Sequence, residues 1–79
     1  MAETQGQRIK KIRYAEEMTQ QQFADFLGTT KARVCLWEND KSGISMTYRR
    51  KINRSIGYNL NEDIDMQIQK KIYRKELGI

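Results

Sequence analysis

Residues 20–37 read QQQFADFLGTTKARVCLW, and the spacing inside this window decides the fold. Thr19 and Gln22 stand at the capping-box distance, which opens a helix just before the window's apolar residues. Phe23, Phe26 and Leu27 supply the stripe of that helix, and Gly28 is placed to end it after about two turns by turning left-handed. Thr29 or Thr30 then caps another helix, in which Val34 and Trp37 lie three apart and share a face. It should end near Asn39. Two short helices joined by so tight a turn must approach closely, which calls for a small residue inside the first and a glycine-like residue at the corner. Ala24 and Gly28 stand at those places, and Phe23 and Leu27 are set to meet Val34 and Trp37.

Working outward, Thr4 and Gln7 repeat the capping-box spacing ahead of a first helix over about Gln7 to Glu17, with Ile9 and Ile12 on one face. Beyond the window a fourth helix opens at Ser45 and buries Tyr48, Ile52 and Ile56, spaced four apart, until Gly57 stops it. After Asn59, Asn61 can cap a fifth helix with Glu62 and Asp63 in its first turn and a stripe of Ile64, Ile68 and Ile72. Met66, Tyr73 and Leu77 fall on a different side of it. The competing reading is a short strand, because Asp65, Gln67 and Gln69 alternate with Ile64, Met66 and Ile68. There is no Pro, and only five Gly punctuate the chain. The expectation is an all-α, compact four- or five-helix helix-turn-helix domain over residues 1–57, followed by a C-terminal helix or strand over 58–79.

Seventy-nine residues support one small core, and 38% hydrophobic against 32% charged residues gives that core a heavily charged shell. The absence of His removes the usual general base and the commonest metal ligand, and a single Cys forms neither an internal disulfide nor a zinc site. An enzyme is therefore not expected, nor a metal or other cofactor. No apolar run approaches the ~20 residues of a membrane span, and the start MAETQGQ has neither part of a signal peptide. The expectation is a cytoplasmic protein.

The net charge of +5 is unevenly spread. Residues 1–40 hold six basic and six acidic groups. From Lys41 to Arg54 there are five basic residues and no acid, so the excess gathers on one part of the domain. A polyanionic partner would suit that field; a solvated basic helix face is the plainer account.

These residues together resemble the Cro and phage-repressor type of helix-turn-helix domain, the xenobiotic-response-element family, over about residues 8–57. The likeness lies in Arg8-Ile9-Lys10-Lys11-Ile12-Arg13, Met18-Thr19-Gln20, Phe23-Ala24 and Trp37-Glu38-Asn39 followed by Lys41. The resemblance implies a lambda-repressor-like domain that binds operator DNA as a dimer, with Gln20 on a phosphate, the start of the third helix in the major groove, and Arg13 paired with Glu38. Three features depart from the family. Asp40 stands where Gly is frequent, the loop from Lys41 to Ser45 has no Pro, and the third helix is unusually apolar on its groove side.

The third helix can be read without the family. At about 100° per residue, burying Val34 and Trp37 turns Ala32, Cys35 and Leu36 outward, with Thr30 and Lys31 at its start and Arg33 at the flank. In a major groove, Ala32 and Leu36 fit thymine methyls and Lys31 donates to guanine. If the wheel were rotated, Ala32 and Leu36 would instead be core. Gln20, Lys41, Thr47, Arg49 and Arg50 are the candidate phosphate contacts. Cys35 reads either as an oxidisable outward thiol or as a small residue. Met66, Tyr73, Leu77 and Ile79 are left over from the core and supply material for a homodimer, whose two-fold symmetry matches a palindromic operator. The function expected is a Cro-like transcriptional repressor of a phage or mobile element. The rival is a protein-interaction module, an antitoxin or antirepressor with a regulatory protein partner, in which DNA binding is secondary.

Overall fold

The computed structural model describes residues 3–76, which form five helices and no strand. They are α1 (Gln5–Ala15), α2 (Gln20–Leu27), α3 (Lys31–Glu38), α4 (Met46–Ile56) and α5 (Ile64–Glu76). The strand alternative for the last segment is thereby overturned: its i, i+4 isoleucines prevail over the local alternation because Ile64 is fully buried and Ile68 is packed on the core.

Both capping boxes form. Thr4 accepts from the Gln7 amide at 3.1 Å while Gln7 returns a bond to the Thr4 amide, and Thr19 and Gln22 do the same. With Thr4 as the cap, α1 begins at Gln5, two residues earlier than the sequence reading put it. It also ends earlier, at Ala15, because Glu17 turns left-handed (φ 56°) and lets the Met18 amide reach back to Arg13 O. The same closing motif ends α2 at Gly28 (φ 73°) and α3 at Asp40 (φ 57°). Asp40 thus adopts the conformation a glycine would hold, and its carboxylate repays part of the strain by accepting the Gly6 amide at 3.0 Å. At α5 the cap is Asp63, which accepts from the Met66 amide, and not Asn61. Ser45 precedes α4 with no side-chain cap bond.

One core joins all five helices, with Ile9, Ile12, Phe23, Leu27, Val34 and Ile52 at its centre. Phe26, expected in the stripe of α2, is 43% exposed, since residues 23, 24 and 27 already fill the face turned to α3. Ile56 is only half-buried and Ile72 is exposed. The core instead continues past Gly57 through Tyr58 and Leu60, which the sequence reading left unassigned. Arg8 holds that loop by donating to Leu60 O at 2.6 Å, and the Gln67 carboxamide clamps both the amide and the carbonyl of Asn59. α5 is therefore continuous with the domain.

Gly6 lies inside α1 where that helix meets the end of α3. A Cβ there would fall 2.8 Å from both Glu38 O and the Asp40 carboxylate, and against Trp37 O. Replacing a helix-interior glycine by alanine ordinarily helps by about 0.5–1 kcal/mol. Here two of the three neighbours are backbone carbonyls that cannot yield, so Gly6→Ala is expected to destabilise by about 1–3 kcal/mol in urea unfolding. An unchanged or raised midpoint would contradict this packing.

Tyr58 is buried where α1, α4 and α5 meet. Lys71 lies over its ring at 4.5 Å and bonds Glu16 at 2.5 Å and Ile56 O at 2.9 Å. Burial, and secondarily Glu16, push the Tyr58 hydroxyl up to about 12. Because the folded state holds this proton above the ordinary tyrosine pKa of about 10, the contribution is intact below pH 10 and is lost as pH rises towards 12. Tyrosinate absorbance should show a late component near pH 12 that Tyr58→Phe removes.

Candidate nucleic-acid interface

α3 is held by its inner side. Val34 and Trp37 are buried, and Trp37 meets Tyr48 of α4 with ring centroids 5.2 Å apart at 54°. Beneath its last turn, Arg13 donates to both carboxylate oxygens of Glu38, from Nε at 2.7 Å and Nη2 at 3.0 Å, and its Nη1 donates to Met18 O at 3.0 Å. Both residues are buried, so this is not a surface ion pair. The bond to Glu38 raises the Arg13 pKa further above its ordinary value. Gln20 joins the cluster by donating from Nε2 to Glu38 Oε1 at 3.3 Å. The start of α2, the end of α1 and the end of α3 are thus tied at one buried carboxylate.

The opposite side of α3 is open. Lys31, Ala32, Arg33, Cys35 and Leu36 are all exposed, Leu36 by 45%, so the rotated-wheel alternative is excluded. Thr30 is exposed as well, but its hydroxyl caps the helix by accepting from the Arg33 amide at 3.2 Å. Asn39 donates from its carboxamide to Cys35 O at 2.9 Å and to Cys35 Sγ at 3.3 Å, so the thiol is partnered. Arg33 and Leu36 border a hollow closed on the far side by Ser42, Gly43, Ser45 and Tyr48. Absent bulk in the loop after α3 leaves this hollow open, and nothing in the sequence spacing marked Ser42 or Gly43 for it.

The expected phosphate contacts divide. Gln20 stands at the first turn of α2, half-buried, with its amide nitrogen turned to Glu38. Lys41, just past α3, and Thr47, in the first turn of α4, are exposed. Arg49 donates to Ile44 O and to Asn61 Oδ1 at 3.2 Å, so it holds the loop before α4 to the loop before α5. Arg50 is exposed but lines, with Arg49 and Arg54, a cleft floored by Tyr58 and Leu60. On the α4 wheel Arg50 lies about 200° from Tyr48, the residue facing α3. The basic run from Lys41 to Arg54 therefore does not form one field. Lys51, read from sequence as a source of positive field for DNA or an acidic protein, donates to Leu27 O at 3.0 Å and so closes the end of α2 beside Gly28. Its signal was readable only as one charge among five.

Of the four expected dimer residues, Met66 and Tyr73 are exposed on α5, whereas Leu77 and Ile79 lie outside the described residues. Among the described residues no cluster of His, Cys, Asp or Glu is arranged to hold a metal ion. No helix among them is long and apolar enough to cross a membrane. No protein-family model matches the chain, and no curated protein or solved structure matches it.

Proposed function

We propose that this protein is a sequence-specific regulator of transcription that binds double-stranded DNA by laying the open side of α3 in the major groove. One observation carries the reading. A two-turn helix exposes Ala32, Cys35 and Leu36 between two cations, Lys31 and Arg33, while three buried attachments hold its other side. A solvated helix gains nothing from an outward leucine, but a groove lined by thymine methyls does. The free amides at the start of α2 supply an anion site within the same domain. The resemblance of residues 8–57 to the Cro and phage-repressor family supports the same assignment, and with it a cytoplasmic repressor acting on its own operator.

Two measurements test this. Affinity for a duplex should fall with salt with a log–log slope of about 0.9 per phosphate neutralised, so several contacts give a steep fall. Selection of bound genomic fragments, followed by footprinting, should return one short motif. A flat salt response together with no enriched motif would refute the proposal. A second reading, a module for an acidic protein partner, draws on the arginine cleft between α4 and the 58–61 loop, which lies on the side of α4 away from Tyr48. It predicts that Arg50→Glu and Arg54→Glu abolish function and leave DNA binding intact.

A further inference from the structure

The cleft between α4 and the 58–61 loop holds an unbalanced set of hydrogen-bonding groups. Its acceptors are already in use. Tyr58 O accepts from Asn53 Nδ2 at 3.4 Å, Asn59 O from Gln67 Nε2 at 2.8 Å, and Leu60 O from Arg8 Nη1 at 2.6 Å. Asn59 Oδ1 accepts the Asn61 amide at 2.9 Å, and Asn61 Oδ1 accepts from Arg49 Nη1 at 3.2 Å. Both of those partners can only donate, so each carboxamide commits its oxygen and keeps its Nδ2 free. Among the lining carboxamides only Asn53 has an oxygen to spare.

The donors, by contrast, are in excess. Arg50 and Arg54 stand one turn apart on α4, exposed and without a partner among the described residues, whose ion pairs belong to Arg8, Lys11, Arg13 and Lys71. Arg49 keeps Nη2 after its bonds to Ile44 O and Asn61 Oδ1. No carboxylate lines the cleft among the described residues. Like charges at i and i+4 repel, and an anion between them relieves that repulsion. The floor is Tyr58 and Leu60, both buried, and an apolar floor strengthens any charge-assisted bond made above it.

The ligand must therefore be rich in acceptors, negatively charged and compact. One carboxylate occupies one guanidinium fork, which leaves the other arginine unsatisfied. A tetrahedral dianion has oxygens enough for both forks and for the free carboxamides. The cleft volume of about 190 Å³ is below the ~300–1,000 Å³ of sites for drug-sized ligands. We propose that this cleft binds a phosphate dianion, free or as the terminal group of a small ester, between Arg50 and Arg54, with Asn59 and Asn61 donating from the loop. The bound anion ties α4 to the segment that leads into α5. The site does not involve α3, and it lies on the side of α4 away from Tyr48, so it stands whether or not α3 enters a groove.

The test titrates inorganic phosphate and, separately, methyl phosphate into the full chain without DNA at constant ionic strength, read by calorimetry and by melting temperature. Both should bind saturably at one site and raise the melting temperature, which acetate at the same concentrations should not do. Tighter binding of methyl phosphate identifies an ester as the source, and tighter binding of inorganic phosphate the free ion; either supports the site. Arg50→Gln with Arg54→Gln should weaken binding by about 10- to 150-fold, the loss of a charge-assisted bond, while circular dichroism keeps the helical signal. Lys10→Gln with Lys70→Gln removes the same charge from exposed positions elsewhere and should change the affinity little. Equal losses in the two double variants would mean a diffuse field and no site, and would overturn the proposal, as would the absence of saturable binding. Two competitions decide between occupants. Hexaglutamate binding more tightly than either phosphate, and only when Arg50 and Arg54 are present, would give the cleft to an acidic protein instead. Displacement of phosphate by a random duplex would give it to the DNA backbone.

Discussion

Glu38→Ala is expected to destabilise the protein by about 3–5 kcal/mol, because it strands the buried Arg13 guanidinium with one remaining acceptor, Met18 O. The loss approaches the whole stability of an ordinary small domain, about 5–15 kcal/mol. For a chain of this length each kcal/mol lowers the melting temperature by about 4–8 °C, so thermal unfolding reads the effect easily. Gln20 also loses its acceptor, and the first turn of α2 loosens with it. The cost belongs to the broken pair and not to the charges as such. A double replacement, Arg13→Met with Glu38→Leu, should therefore recover most of the loss, since an apolar pair of similar volume needs no compensation. If the double variant is as unstable as the single one, the buried ion pair is not the element that ties α1 to α3.

Lys31→Ala is expected to weaken operator binding by about 5- to 150-fold, the equivalent of ~1–3 kcal/mol, and to relax preference at one base pair. Lys31 is the first residue of α3 and is exposed, so its removal should shift stability by no more than about 0.5 kcal/mol. A competition assay over single base-pair variants of the selected site separates two outcomes. Loss of discrimination at one position places Lys31 on a base edge. A uniform loss at every sequence, with the salt slope reduced by about 0.9, places it on a phosphate. Arg33→Ala, at the flank, supplies the comparison. If neither variant changes binding while the fold is intact, α3 does not enter the groove.

These two experiments read opposite ends of the same helix. The Glu38 variant tests whether the Arg13–Glu38 pair holds α3 in place, and Lys31→Ala tests the proposed recognition by the placed helix. A variant that destroys both stability and binding says little about recognition, which is why the exposed substitution is the informative one for function.

Helix positions, three of the five caps and the inward side of α3 were legible in the chain alone. The reason is that all three are local: a capping box spans four residues, a left-handed glycine acts on its own turn, and Val34 and Trp37 share a face because a helix has 3.6 residues per turn. The pairing of Arg13 with Glu38 came from the family resemblance, and its burial came only from the fold. Four other decisions were tertiary. Gly6 matters because the end of α3 crosses it, which no spacing in α1 records. Glu17 and Asp40 turn left-handed because the chain must reverse there, although neither is a residue that favours the turn sterically. Tyr58 and Leu60 enter the core because a loop folds under α5. The basic run after Lys41 divides between two faces of α4, since net charge along a chain carries no direction until the helix carrying it is packed.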